Sequence, residues 1–95
     1  MAENMTICKN VTVGSPMGLH ARPAAQVVHI AGRFQSELKL CRTDRHSEAD
    51  CRSVLAMLML AAGKDTVLEL RATGTDAAAA AEALEAYFQR NFDEV

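Results

Sequence analysis

The segment Gly18-Leu19-His20-Ala21-Arg22-Pro23 gathers a nucleophile, a cation and turn-forming residues within six positions. His20 stands where a helix is expected to begin, Arg22 follows two residues on, and Pro23 falls in the first turn. Proline is tolerated there because first-turn amides have no intrahelical carbonyl to bond, and Gly18 lets the backbone turn sharply into the helix. The remaining free amides, at Ala21 and Arg22, join the positive end of the helix dipole to make a cradle for phosphate. Arg22 adds a fixed cation with several donors. The same positive field disfavours imidazolium, so His20 is expected in the neutral form, with one ring nitrogen free to act as a nucleophile. The plainer reading makes His20 a helix cap and leaves Arg22 in solvent. The context of all six residues favours chemistry. A site for binding alone would use Ser, Thr or backbone amides, and a metal site would need further ligands that no neighbour supplies at suitable spacing. Hydrolysis would need a base, an orienting group and a cleft, and none is evident.

Composition narrows the remaining classes. The 95 residues carry 10 Lys and Arg against 12 Asp and Glu, a formal net charge of -2, which implies no surface for a polyanion. With no Trp, one Tyr and three Phe there is little to stack on bases, so a nucleic-acid partner is not expected. The longest apolar run, Val54 to Ala62, is nine residues, whereas a membrane span needs about 20. The first ten residues, MAENMTICKN, lack the basic start and apolar stretch of an export signal, so a cytoplasmic location is expected. The length suits one domain over residues 1–95. Cys8, Cys41 and Cys51 are odd in number and nowhere form CxxC, which implies neither a disulfide framework nor a zinc knuckle. They are read as reduced thiols, with Cys8 and Cys41 on an open sheet face.

The elements that must position this segment follow from periodicity. From Thr6 to Val13 the residues Ile7, Val11 and Val13 share one face and Thr6, Cys8, Asn10 and Thr12 the other, the pattern of a half-buried strand. Gly14 to Gly18 is loop. Between Ala21 and Phe34, Ala24, Val27, Val28 and Ala31 keep the spacing of a helical apolar stripe, with Gly32 helping to end it. Ser36 to Cys41 alternates again, Arg42 to His46 is a hairpin turn, and a short edge strand covers about His46 to Ala49. A second helix, capped by Ser53 or Asp50, runs through Val54 to Leu60. It is apolar nearly all round, so some of Val54, Leu55, Met57, Leu58 and Met59 should be exposed; periodicity alone favours Leu55 and Leu58 as core. Thr66 to Ala72 is a further strand. Thr75 or Asp76 then caps a helix to about Asn91, with Ala77, Ala80, Ala81, Leu84 and Phe88 inward and Glu82, Glu85 and Gln89 facing water. The order β-α-β-β-α-β-α predicts an α+β, two-layer open-faced sandwich, with three helices on one face of an antiparallel four-stranded sheet.

The hexapeptide, continued by Ala24-Ala25-Gln26, resembles the active-site signature of the HPr-type phosphocarriers of the bacterial phosphotransferase system. The likeness runs from about Met5 to about Phe92 and includes the Arg52-Ser53-Val54 start of the second helix. It implies that His20 accepts a phosphoryl group on Nδ1 from the phosphohistidine of an enzyme I and passes it to a IIA-type domain, with Arg22 assisting both transfers. It implies a carrier rather than a turnover enzyme, one needing no cofactor. A carrier must release what it accepts, and one arginine with one helix end suits that demand better than a deep cationic pocket. By the same resemblance Val54, Leu55 and Leu58 form an exposed docking patch bordered by Gln26 and His29, and Ser53 is the position of regulatory phosphorylation by an HPr kinase. Ser53 is otherwise simply a cap, and the Arg52 and Val54 beside it depart conservatively from the lysine and isoleucine of the strongest regulatory context. The segment Ser53 to Leu60 and the tail Asn91-Phe92-Asp93-Glu94 are similar to the nitrogen-related carriers, which points to a regulatory phosphorelay. A monomer is expected.

Two other functional classes compete. A regulatory module of the same fold would act by docking through its second helix, with Ser53 as switch; the intact His20 and Arg22 favour the carrier. A small metal carrier or effector-binding domain is disfavoured by the lack of a cysteine in the loop before the first helix and by the extra final helix. His29 is read as a rim residue and His46 as part of the hairpin.

Overall fold

A computed structural model describes residues 5–94. Of the segment read above as lacking an export signal, Met1 to Asn4 lie outside the described residues. The chain runs β1 (Met5–Thr12), α1 (Ala21–Ala31), β2 (Glu37–Arg42), β3 (Ser47–Asp50), α2 (Val54–Leu58), β4 (Val67–Gly74) and α3 (Ala77–Gln89). The strands form one antiparallel sheet in the order β1-β4-β2-β3, so the last strand enters between the first two. This is the predicted order and class, with the three helices covering one face.

Register makes the period of two visible. Val11 pairs with Leu68, Ile7 and Leu38 pair with Ala72, and Leu40 lies between Leu70 and Ala49. Those side chains meet Val27, Ile30, Met57, Leu84 and Phe88 from the helices in a single core. Lys9 shares the inward face, and it avoids an unpaired charge by reaching Glu85 of α3 at 3.3 Å. Glu85 is therefore half-buried in an ion pair rather than turned wholly to water as its helical position suggests. The opposite sheet face is polar. There Lys39 and Arg71 pair with Glu37, Glu48 and Glu69, Cys8 is exposed, and Cys41 lies buried beside the Glu48 carboxylate.

At the element ends two expectations change and one choice is settled. Gly32 does stand at the C-cap of α1, but in a right-handed conformation, so the helix stops without using glycine's freedom. The Arg52 guanidinium, from the turn before α2, bonds the carbonyls of Ala31 and Phe34 there and supplies the missing donors. Asp76 occupies the N-cap position of α3 but makes no cap hydrogen bond; its carboxylate accepts from the amides of Gln35 and Ser36 and from the Ser36 hydroxyl, tying the entry to β2 to the start of α3. Between the two candidate caps of α2, Ser53 accepts from the Ala56 amide, while Asp50 accepts the Arg52 amide one turn earlier.

Candidate functional site

The chain enters α1 through a tight corner. Gly18 has φ +69, and a Cβ there would stand 2.6 Å from the carbonyl oxygen of Ala62, so both conformation and space exclude a side chain. The same carbonyl accepts the Leu19 amide at 2.9 Å, pinning the corner to the segment that follows α2. That segment is itself clamped. The Arg42 guanidinium, 8% exposed, donates to the carbonyls of Leu60 and Ala61. Sequence reasoning placed Arg42 only in a polar turn.

His20 is the N-cap residue of α1 by backbone position, but its side chain makes no cap hydrogen bond. The capping explanation for a histidine at this place therefore fails. Pro23, in the first turn, is fully buried and anchors the helix start. The amides of Ala21 and Arg22 find no acceptor among the described residues, and Arg22 is exposed with no hydrogen bond or ion pair among them. First-turn donors, an exposed cation and a half-exposed imidazole thus face the same solvent.

The imidazole has a partner that the sequence did not disclose. Nε2 of His20 lies 2.8 Å from Oε2 of Glu94, and Oε1 of the same carboxylate accepts the Ser15 hydroxyl at 2.6 Å. Ser15 is buried and also accepts the Met17 amide through its oxygen. The Ser15 hydrogen bond holds the Glu94 carboxyl below its ordinary value against the cost of desolvation, and the His20 ring and then the Arg22 charge add to the lowering. An ionised carboxylate at Nε2 keeps the ring proton on that nitrogen and leaves the lone pair on Nδ1. No spacing rule links residues 20 and 94. The one sequence signal is the tail Asn91-Phe92-Asp93-Glu94, whose likeness to the nitrogen-related carriers points to a relay and not to a contact.

Around this centre the proposed docking residues lie on α1 and α2. Leu55 is 69% exposed and Leu58 37%, while Met57 is fully buried. This corrects the reading of Leu55 and Leu58 as core: α2 is only five residues long, so Met57 alone of its side chains points fully inward. Val54 is half-buried, and Gln26 and His29 are exposed on α1. Ser53 is half-buried at the α2 start, engaged by Ala56. His46 lies in the β2–β3 hairpin with left-handed backbone. Among the described residues no group of three or more His, Cys, Asp or Glu could hold a metal ion, and no helix is long and apolar enough to cross a membrane. Burial pushes the Cys51 thiol up to about 12, which makes it inert.

Residues 7–90 match the family model described as the phosphorylation site of the HPr component of the phosphotransferase system. The chain is 38% identical over 90 residues to the phosphocarrier protein NPr of Escherichia coli K12, covering 95% of this chain and 99% of that one. It is 40% identical over 88 residues to the phosphocarrier protein HPr of Treponema pallidum, covering 93% and 98%. In three dimensions it is similar to a phosphocarrier protein HPr from Bacillus anthracis, with a TM-score of 0.80, 32% identity, and coverage of 87% and 96%. With its fold, its hexapeptide and these matches in agreement, the chain belongs to the HPr-type phosphocarrier family of the phosphotransferase system.

Proposed function

We propose that the protein takes a phosphoryl group onto Nδ1 of His20 from the phosphohistidine of an enzyme I and hands it to a IIA-type acceptor, as a stoichiometric intermediate in a phosphoenolpyruvate-dependent relay. The observation that carries this reading is the arrangement at the start of α1: among the described residues, a half-exposed imidazole bonded through Nε2 alone stands beside two open amides and the Arg22 cation. Phosphoryl transfer asks mainly for in-line positioning and charge stabilisation, and the partner supplies half of that geometry. An open surface therefore suffices where a hydrolase would need a cleft. Arg22, unengaged among the described residues, is able to swing onto the arriving phosphoryl oxygens, with the Ala21 and Arg22 amides completing the cradle. Val54, Leu55 and Leu58, edged by Gln26 and His29, form the docking surface for both partners, and an HPr kinase acting at Ser53 is a further candidate partner.

The branch we propose is the nitrogen-related regulatory one. Its support is the segment Ser53 to Leu60 and the tail Asn91 to Glu94; full-length identity does not separate the branches, since NPr and HPr relatives match at 38% and 40%. Both readings are tested together by incubating the protein with labelled phosphoenolpyruvate and purified enzyme I of either the nitrogen or the sugar branch, then adding IIA domains of each kind. Label should pass onto the protein and onward to IIA, faster with the nitrogen-branch pair. Faster transfer with the sugar-branch pair would move the protein to sugar uptake, and absence of label with both would reject the carrier function.

A further inference from the structure

We propose that Glu94 is a positioning residue for phosphoryl transfer at His20: its carboxylate holds the Nε2 proton in place and balances the positive charge that the ring acquires when the Nδ1–P bond forms. The inference rests on His20 as the phosphoryl acceptor and adds a residue lying beyond the span, residues 7–90, that matches the family model.

The chain goes to some length to deliver this carboxylate. After α3, Asn91, Phe92 and Asp93 all take left-handed backbone, with φ of 53, 59 and 58, although none is glycine. Such a run is held against the preference of L residues and persists only where its surroundings enforce it. Here Phe92 is buried with its ring centroid 5.3 Å from that of Tyr87 and 5.0 Å from that of Phe88, and Arg90 pairs with Asp93. The turn reverses the chain so that Glu94 reaches both Ser15 and His20, 79 and 74 residues earlier. Ser15, buried and engaged by the Met17 amide, fixes the second carboxylate oxygen, so the carboxylate is oriented from both sides. Besides His20, the charged group that acts on this carboxylate is Arg22 at the helix start, and the carboxylate in turn acts on the Tyr87 hydroxyl, which Arg90 and Asp93 of the turn also face.

The electron and proton balance defines the role. The lone pair of Nδ1 attacks the donor's phosphorus; the Nδ1–P bond forms, the donor's N–P bond breaks, and its electron pair returns to the donor ring. His20 keeps its proton on Nε2, so its ring becomes a phosphorylated imidazolium. A carboxylate 2.8 Å from Nε2 stabilises that cation as an aspartate stabilises the imidazolium of a hydrolytic triad. In the onward transfer the Nδ1–P electron pair returns to a ring that is still protonated on Nε2, and it departs as neutral imidazole. Loss of that proton would leave an imidazolate, a poor leaving group. Glu94 thus keeps the phosphoryl group transferable in both directions without moving a proton.

Glu94→Gln preserves shape and an acceptor oxygen but removes the charge. The measurements are the rate of label acceptance from enzyme I and the lifetime of the isolated phosphohistidine at neutral and acid pH. We expect acceptance to slow on the order of tenfold, and the phosphohistidine to outlive the wild-type one at neutral pH, because fewer rings stay protonated. The two lifetimes should converge in acid, where solvent protonates both rings. Glu94→Asp should recover part of the acceptance rate. A merely structural role would not lengthen the lifetime. If Glu94→Gln does not fold, Ser15→Ala, which removes the donor that orients the carboxylate, should show the same changes on a smaller scale. Unchanged rate and lifetime in the folded variant, with the wild type labelled at His20, would overturn this inference alone. Failure of the wild type to take label on His20 would overturn the carrier reading beneath it.

Discussion

At Gly18 a single residue type couples the proposed phosphate site to the rest of the molecule. A side chain there would strike the Ala62 carbonyl, which also receives the Leu19 amide. Gly18→Ala should therefore cost more than about 1 kcal/mol, because strain at positive φ adds to the clash. It should also displace His20 and slow phosphate uptake; urea midpoints and transfer rates measure the two effects. Equal stability and rate in the variant would show that the corner is softer than its geometry implies. The place of His20, Ala21, Arg22 and Pro23 at a helix start was legible in the sequence because it is local: a helix start determines its own free amides. Glu94 and Ser15 were not legible. Their contact depends on where α3 ends and on three left-handed residues after it, and no periodic pattern encodes either.

Elements were readable where one face is buried and the pattern repeats. The alternation in β1, β2 and β4 and the stripe on α1 gave strand and helix correctly, because slipping by one residue would turn an apolar side chain outward. Short α2 escaped that logic, since five residues cannot establish a period, and Leu55 and Leu58 proved exposed. Its cap is now a single residue. Asp50 is occupied by the Arg52 amide and cannot substitute, so Ser53→Ala should lose about 1 kcal/mol of stability, measured by denaturant unfolding. Ser53→Asp should retain the normal thermal transition, as a charge suits a helix N-terminus, yet accept phosphate from enzyme I more slowly because that charge sits at the proposed docking patch. An Asp variant phosphorylated at the wild-type rate would count against regulation at this position.

Asp76 offers a second test between elements. Hydrogen bonds from the Ser36 hydroxyl and from the Gln35 and Ser36 amides hold its carboxyl below the usual range. A group depressed in the folded state contributes stability that is present above its unfolded value and lost as pH falls through the folded one. Part of the fall in wild-type stability between about pH 5 and pH 2 should therefore be missing in Asp76→Asn, which should also be the less stable protein near neutrality. Parallel stability curves for the two proteins would contradict the assignment.

For the whole molecule, the two faces differ in what they expose. The outer sheet face closes its charges on itself, Lys39 and Arg71 against three glutamates, which leaves little to attract a partner. The helical face exposes Leu55, Leu58 and Met59, and the loop that leads into the helix bearing His20 exposes Met17. Leu55→Glu should slow transfer from enzyme I by about tenfold or more, because apolar anchors dominate small transient interfaces. Glu82→Lys on α3 should leave the rate near wild type. Equal rates in the two folded variants would remove the docking patch from the account.

The central claim is that Nδ1 of His20 carries the phosphoryl group. Its most direct test is phosphorus NMR of the protein phosphorylated by enzyme I and phosphoenolpyruvate, recorded for the wild type and for His20→Ala. The account predicts one acid-labile, base-stable resonance with the shift of an Nδ1-phosphohistidine in the wild type and none in the variant. A resonance that survives in His20→Ala, or one with the shift of an Nε2 adduct, would contradict it.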